Sequence, residues 1–302
     1  MPSDIEFYRD KAMYPAAPMQ QTEPTAHLLW MTPDPLGAVA AAVRMYKGKP
    51  TYSLSDITDD ERRECWDAVQ KTELQAPLEF VKLHVFWEGV DRSLTHQAVR
   101  QRTAVYAQES LRFAVKDGNL LEETSRPPSL DDPTRSQSER NDLEDAWTAA
   151  LASIERNYKA LIANGMPAED ARGLLPHAIL TRYNYCTDLR NLSAEAGKRL
   201  CTQAQFHWRK AFMSLRKAVR NYGDPENWWQ FDLIADSNLF APVCYQIGKC
   251  GFKAEFDRGC TIRERVDWFE EHGVQSVMWD RHKERGIKRE EWLSDPKAGW
   301  MQ

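Results

Sequence analysis

The stretch richest in chemistry runs from Gln97 to Arg112. Its sixteen residues hold Arg100, Arg102 and Arg112, set among Gln97, Gln101, Gln108 and Ser110, with Glu109 as the one acid. A guanidinium keeps its charge throughout the physiological range and presents a planar fork of donors that matches phosphate and carbonyl oxygens. Glutamine both donates and accepts, so it can read the edge of a base. The whole chain carries a net charge of −5, so this positive density runs against its background. The stretch is a candidate anion or nucleotide site; the plainer alternative is a solvated basic helix face. Arg172, Arg190 and Arg199 stand out further along, each of which would alone read as a surface ion pair.

Other chemistries find less support. The six cysteines are Cys65, Cys186, Cys201, Cys244, Cys250 and Cys260. None stands in a catalytic thiol signature, although Cys201 lies near Arg199. Cys244, Cys250 and Cys260 with His272 match no zinc spacing, so they read as structural thiols and no metal is expected. His84 and His207 read as core histidines. There is no phosphate-binding loop and no Gly-x-Gly-x-x-Gly turn. Net negative charge argues against a nucleic-acid module, although an arginine-rich segment with tryptophans nearby can bind single strands. No apolar run is long enough to span a membrane. The opening Met-Pro-Ser-Asp-Ile-Glu lacks the build of a signal peptide, which predicts a cytoplasmic protein with reduced thiols. With 302 residues, 42% hydrophobic and 28% charged, the chain can bury a sizeable core.

The elements that must position these residues follow from pattern. Residues 27–46 read as a short strand, a Pro-rich turn and a helix with Pro35 in its first turn. Thr58-Asp-Asp-Glu61 is a capping box that opens a helix to about Thr72. From Phe80 the apolar residues alternate as in a half-buried strand. Ser93 or Thr95 is then placed to cap a helix carrying the central stretch. Residues 117–142, with Gly118 and three prolines, read as a mobile loop or lid. Leu143, Trp147, Leu151, Ile154, Tyr158 and Leu161 share one helical face that ends at Asn164-Gly165. A short helix over 168–174 leads into Pro176. Residues 193–222 read as one long helix capped by Ser193 and stopped by Gly223-Asp-Pro225. Residues 226–302 form a Trp- and Cys-containing extension.

The central stretch resembles the signature of the flavin-dependent thymidylate synthases, the ThyX family, whose pattern is R-H-R-x-x-S-x-N-x-x-S-x-R. Here it reads R-Q-R-T-A-V-Y-A-Q-E-S-L-R, with Gln101, Val105 and Ala107 replacing the family's histidine, first serine and asparagine. The Thr-Pro-Asp-Pro turn at 32–35 is similar to the family's opening segment, and Pro77 with Glu79 keeps part of a Thr-Pro-x-Glu-His run. Further on, the family carries Arg-x-x-Leu-Pro, then Asn-x-Arg-x-Leu, then Leu-Arg-x-x-x-His-Ala-Gln. Arg172, Arg190 and Arg199 fall at the corresponding places, eighteen and nine residues apart without a gap. Asp188 and Ala194 stand where the family has asparagines, and Gln203 where it has histidine. The resemblance spans roughly residues 27–215.

This resemblance implies an α+β fold with a mixed or antiparallel sheet flanked by long helices. It implies a catalytic domain over 1–225 with the extension 226–302 packed on it. Carried over position by position, it makes Gln97, Gln108, Ser110, Arg112, Arg172 and Arg199 nucleotide-binding. Arg199 is also the catalytic residue, stabilising charge on the uracil ring. Arg100, Gln101, Arg102, Asp188, Arg190 and Gln203 are placed on the cofactor side. The implied reaction is reductive methylation at C5 of a uridine monophosphate, with methylenetetrahydrofolate, FAD and NADPH. The implied assembly is a homotetramer with sites built from several subunits, in which Arg172 and the central stretch need not meet within one chain. The altered motif resembles the polyoxin-type branch of the family, which acts on UMP in nucleoside-antibiotic pathways. An ordinary dUMP-specific enzyme and a catalytically inactive binding member remain the alternatives.

Overall fold

The computed structural model describes residues 23–132, 134–201 and 203–247. The first expectations of pattern hold. Strand β1 (Thr25–Met31) leads through Asp34 into helix α1 (Pro35–Tyr46). Asp34 is the N-cap: its Oδ1 accepts from Gly37 N at 2.9 Å, and Arg62 pairs with Oδ2 at 2.6 Å. A Cβ on Gly37 would lie 2.1 Å from that carboxylate, so only glycine fits beneath the cap. Helix α2 (Asp59–Gln70) opens on the expected capping box, with Glu61 N donating to Thr58 Oγ1 and Thr58 N to Glu61. Its buried side is Cys65, Trp66 and Val69.

Phe80 is not in the strand. It ends a 3-10 turn over Ala76–Phe80 and is exposed, and strand β2 runs Lys82–Asp91. Helix α3 (Arg92–Ala98) covers only the start of the central stretch. After Ala98 the chain turns and forms a short strand, β3 (Val105–Gln108), so the stretch is not a basic helix face. Buried Asp91, rather than Ser93 or Thr95, accepts from the helix start, through Leu94 N at 2.7 Å.

The expected loop 117–142 is shorter and is tied down. Ser125 Oγ donates to Asp91 at 2.7 Å, and Thr124 bridges to Ile179. Arg126 pairs with Asp131 and Glu144. Helix α4 (Gln137–Ala163) begins at a second capping box, Ser136 with Glu139. It buries Leu151 and Tyr158 and stops at Asn164-Gly165, where Gly165 has φ +87°. Helix α5 (Ala168–Ala171) and a 3-10 turn over Arg172–Leu174 follow as expected.

Strand β4 (Leu180–Asp188) leads into helix α6 (Leu189–Arg199), and helix α7 spans Phe206–Arg220. The single long helix over 193–222 is therefore two helices, and its cap is Asp188 rather than Ser193. Leu200, Trp208, Phe212, Leu215 and Val219 are all buried. The apolar spacing thus runs straight across a break that it cannot reveal. Gly223 closes the segment at φ +101°. Helix α8 (Trp228–Asp236) places Gln230 to accept from Leu36 N at 2.9 Å, and helix α9 spans Val243–Ile247.

The sheet order is β1-β2-β4-β3. Beyond the ends of β2 and β4, Leu189 N donates to Val81 O and Arg92 N to Ile179 O, which is the antiparallel sense. This is the expected combination of helices and antiparallel sheet. The described residues divide into two compact units, one of 88–97 and 108–183, the other of 24–87, 98–107 and 184–247. The first has its core at Leu111, Leu120, Leu151 and Ile179. The second buries Trp87, Trp208, Phe212, Phe231 and Leu36. No helix of the described residues is long and apolar enough to cross a membrane. Cys250, Cys260 and His272 lie outside the described residues, as does the opening segment. Cys65, Cys201 and Cys244 are buried, and no metal-holding group occurs among the described residues.

Candidate functional site

Five of the residues singled out in sequence lie in the first unit: Gln97, Gln108, Ser110, Arg112 and Arg172. Strand β3 ends at Gln108, whose Nε2 donates to buried Thr95 Oγ1 at 2.8 Å. The turn that follows is held by Arg112 N donating to Ser110 Oγ at 3.3 Å, while Leu111 points into the core. Ser110 and Arg112 therefore face away from the apolar side. Arg112 is half exposed and pairs with Glu169 Oε2 at 2.6 Å. Arg172 donates from Nε to the backbone carbonyl of the same Glu169, at 3.0 Å. Arg112 of the central stretch and Arg172 thus both contact Glu169 within one chain. The short helix α5 presents Glu169 to Arg112 just before the turn that carries Arg172.

A third arginine belongs to this group and lies outside the sequence motif. Arg92, at the start of α3, donates from Nη2 to Glu109 O at 2.8 Å. Its buried Nε has no hydrogen-bond partner among the described residues. Burial and the neighbouring Arg172 charge both hold its pKa below the usual arginine value, while Glu109 works the other way. Lys116 and Arg182 flank Glu109 at 3.6 and 3.7 Å. Five cations, Arg92, Arg112, Lys116, Arg172 and Arg182, are thus gathered around two acids, Glu109 and Glu169. Such an arrangement is self-repulsive without an anion and suits a phosphate.

The remaining candidates lie in the second unit. Arg100 and Arg102 are exposed on the turn after α3, and neither side chain has a partner among the described residues. Gln101 donates to Thr103 Oγ1 at 2.9 Å and to Asn191 O at 3.4 Å, which ties this turn to the start of α6. Arg190 is exposed there and pairs with Glu79 at 2.5 Å. Asp188 is buried and its carboxylate is committed: it accepts from Asn191 N and Nδ2 and pairs with Lys82 at 3.2 Å. Its visible task is to cap the helix that carries Arg190. Gln203 is exposed in the connection between α6 and α7.

Arg199 ends α6, where a cation also suits the helix dipole. Its guanidinium carbon lies 4.3 Å from the Trp208 ring centroid, and its Nε is 3.8 Å from Glu195 Oε1. Glu195 is buried and accepts from Tyr185 Oη at 3.0 Å. Burial pushes this carboxyl up to about 7, although Tyr185, Arg199 and Lys198 pull the other way. Glu195 belongs to none of the motifs read in the sequence. Its one signal is position: it falls three residues after buried Leu192, on the apolar stripe of α6.

An α+β chain with clustered arginines and a small antiparallel sheet is the class these features define. Residues 27–222 match the model of the Thy1 family, thymidylate synthase complementing protein, and the chain belongs to that family. The flavin-dependent thymidylate synthase of Pyrococcus abyssi is 28% identical over 229 residues, covering 76% of this chain and 89% of that protein. That of Geobacter sulfurreducens is 30% identical over 200 residues, covering 64% and 81%. Among solved structures, the UMP/dUMP methylase PolB of Streptomyces cacaoi, bound with 5-Br dUMP, aligns with a TM-score of 0.53 at 17% identity, over 70% of this chain and 96% of that one. ThyX of Helicobacter pylori, with FAD and dUMP, aligns with a TM-score of 0.50 at 16% identity, over 70% and 99%. These likenesses confirm the fold.

Proposed function

We propose that the protein is a flavin-dependent uridylate C5-methylase, acting on UMP, dUMP or both. The observation that carries this reading is the cation cluster of Arg92, Arg112 and Arg172 beside Ser110, in a family member of net charge −5. Ser110, Arg112 and Arg172 would donate to the nucleotide phosphate, which would displace Glu169 from Arg112. Gln97 and Gln108 supply the paired donor and acceptor that a pyrimidine edge requires. Arg199 would stabilise negative charge on the uracil ring while C5 is nucleophilic. Its half-buried setting strengthens that interaction relative to water.

On the cofactor side, exposed Arg100 and Arg102 suit the diphosphate of FAD, with Arg190 beside them at the start of α6. Gln101 keeps hydrogen-bonding capacity where the family has histidine, whereas Ala107 and Ala194 supply none. Bound FAD would supply the hydride, NADPH would recharge it, and methylenetetrahydrofolate would bring the one-carbon unit. Kinship with curated flavin-dependent thymidylate synthases supports this assignment. Assembly with further copies of the chain is part of the proposal, as is the packing of 226–302 as an extension. The test is an absorption spectrum of purified protein with added FAD, followed by titration with UMP and dUMP. Flavin bands that respond to either nucleotide support the reading. Nucleotide binding without any flavin binding would favour an inactive binding member.

A further inference from the structure

We infer that Glu195 is the positioning residue for Arg199, clamping its guanidinium against Trp208. The inference rests on the catalytic role proposed for Arg199, and its geometry is contained in one unit. Glu195 stands one helical turn before Arg199, so the two side chains share a face of α6. It is 3% exposed, while Trp208 beneath the guanidinium is 1% exposed. One carboxylate oxygen meets Arg199 Nε at 3.8 Å and the other accepts from Tyr185. The Tyr185 ring lies 5.5 Å from that of Tyr106, whose hydroxyl donates to the carbonyls of Ala98 and Gln101 at 2.7 and 3.2 Å. A chain of contacts thus runs from the Arg100–Arg102 turn to Arg199, with Glu195 as the charged link. A buried carboxyl is costly to ionise, so its presence on an otherwise apolar stripe calls for a partner that repays it.

Among the described residues, Tyr185 from β4, Tyr106 from β3, and Lys198 and Arg199 on its own helix bear on Glu195. The other elements packed against α6 carry Glu79, paired with Arg190, together with Cys244 and Tyr245 in α9 and His207, Arg209 and Lys210 in α7. With burial lifting its titration to about 7, Glu195 is ionised and holds Arg199 above that pH, and releases it below.

The test is the pH profile of turnover and KM for the full chain and its Glu195→Gln form, which keeps a hydrogen-bonding partner for Tyr185. The unsubstituted protein should show kcat rising through about pH 7. Glu195→Gln should lose about tenfold in kcat at pH 8, with KM within about twofold and no rise near neutrality. A second readout is independent of turnover. The emission of Trp208, isolated by subtracting a Trp208→Phe form, should titrate near neutrality and become flat in Glu195→Gln. If the chain turns over no uridylate yet Trp208 titrates in this way, the proposed reaction falls while the Glu195 clamp stands. Glu195→Gln with an unchanged kcat profile or an unchanged Trp208 titration would overturn the clamp.

Discussion

Arg112 pairs with the Glu169 carboxylate and Arg172 donates to the backbone carbonyl of the same residue, and the phosphate proposed for them would take the carboxylate's place. Each charge-assisted contact is worth roughly 1.5–3 kcal/mol. Arg112→Ala and Arg172→Ala should each weaken uridylate binding by about tenfold or more in a calorimetric titration. Arg92→Ala should behave likewise, and unchanged affinity would leave Arg92 a structural residue of α3. Arg199→Ala should act differently, lowering kcat by about tenfold for each 1.4 kcal/mol of transition-state stabilisation removed and changing binding less. Glu195 also links charge to stability. Its folded pKa is raised to about 7 from the ordinary 4.5, so this group's stabilisation is full below 4.5 and is lost as pH rises through about 7. Between pH 5 and pH 8 the melting temperature of Glu195→Gln should therefore fall less than that of the unsubstituted chain. Arg112, Arg172 and Arg199 were legible in the sequence because they keep a spacing. Arg92 and Glu195 were not, since their meaning lies in what surrounds them in space.

Among the elements, those fixed by contacts close in sequence were readable, and those fixed by distant partners were not. The capping box at Thr58 and the Asp-Pro start of α1 are bonds between residues three apart, so the residues themselves announce them. Strand β3 exists because it pairs with β4, and nothing in Val105-Tyr-Ala-Gln108 records that pairing. The break between α6 and α7 was hidden for a related reason: both helices face one core, so the apolar period continues across the gap. Two substitutions test the local devices. Asp34→Ala removes the cap of α1 and the partner of Arg62, and should cost about 1–3 kcal/mol in urea unfolding. Gly223→Ala asks for a left-handed backbone and would set its Cβ 2.6 Å from the Phe231 ring. A destabilisation of about 1 kcal/mol or more is expected from the backbone alone. Unchanged unfolding midpoints would contradict both readings.

For the whole molecule, the proposed assembly has a direct consequence. Leu29, Trp30, Met45, Tyr46 and Phe80 are large apolar residues exposed on the second unit, and in the proposed assembly further copies of the chain would cover residues of this kind. The protein should sediment well above its 34.9 kDa monomer mass. Arg112 and Arg172 both contact Glu169 within one chain, so if they serve one phosphate there, mixing Arg112→Ala with Arg172→Ala should restore no activity. Mixing Arg172→Ala with Arg199→Ala should restore part of it, since the proposed assembly builds each site from several copies. A fully active monomer would end that model. The proposed methylation is tested most directly by release of tritium from C5 of uracil, followed in parallel on UMP and dUMP with FAD, NADPH and methylenetetrahydrofolate. Release from at least one nucleotide is expected, together with its abolition in Arg199→Ala. Release from neither, by folded protein with bound flavin, would contradict the proposed reaction.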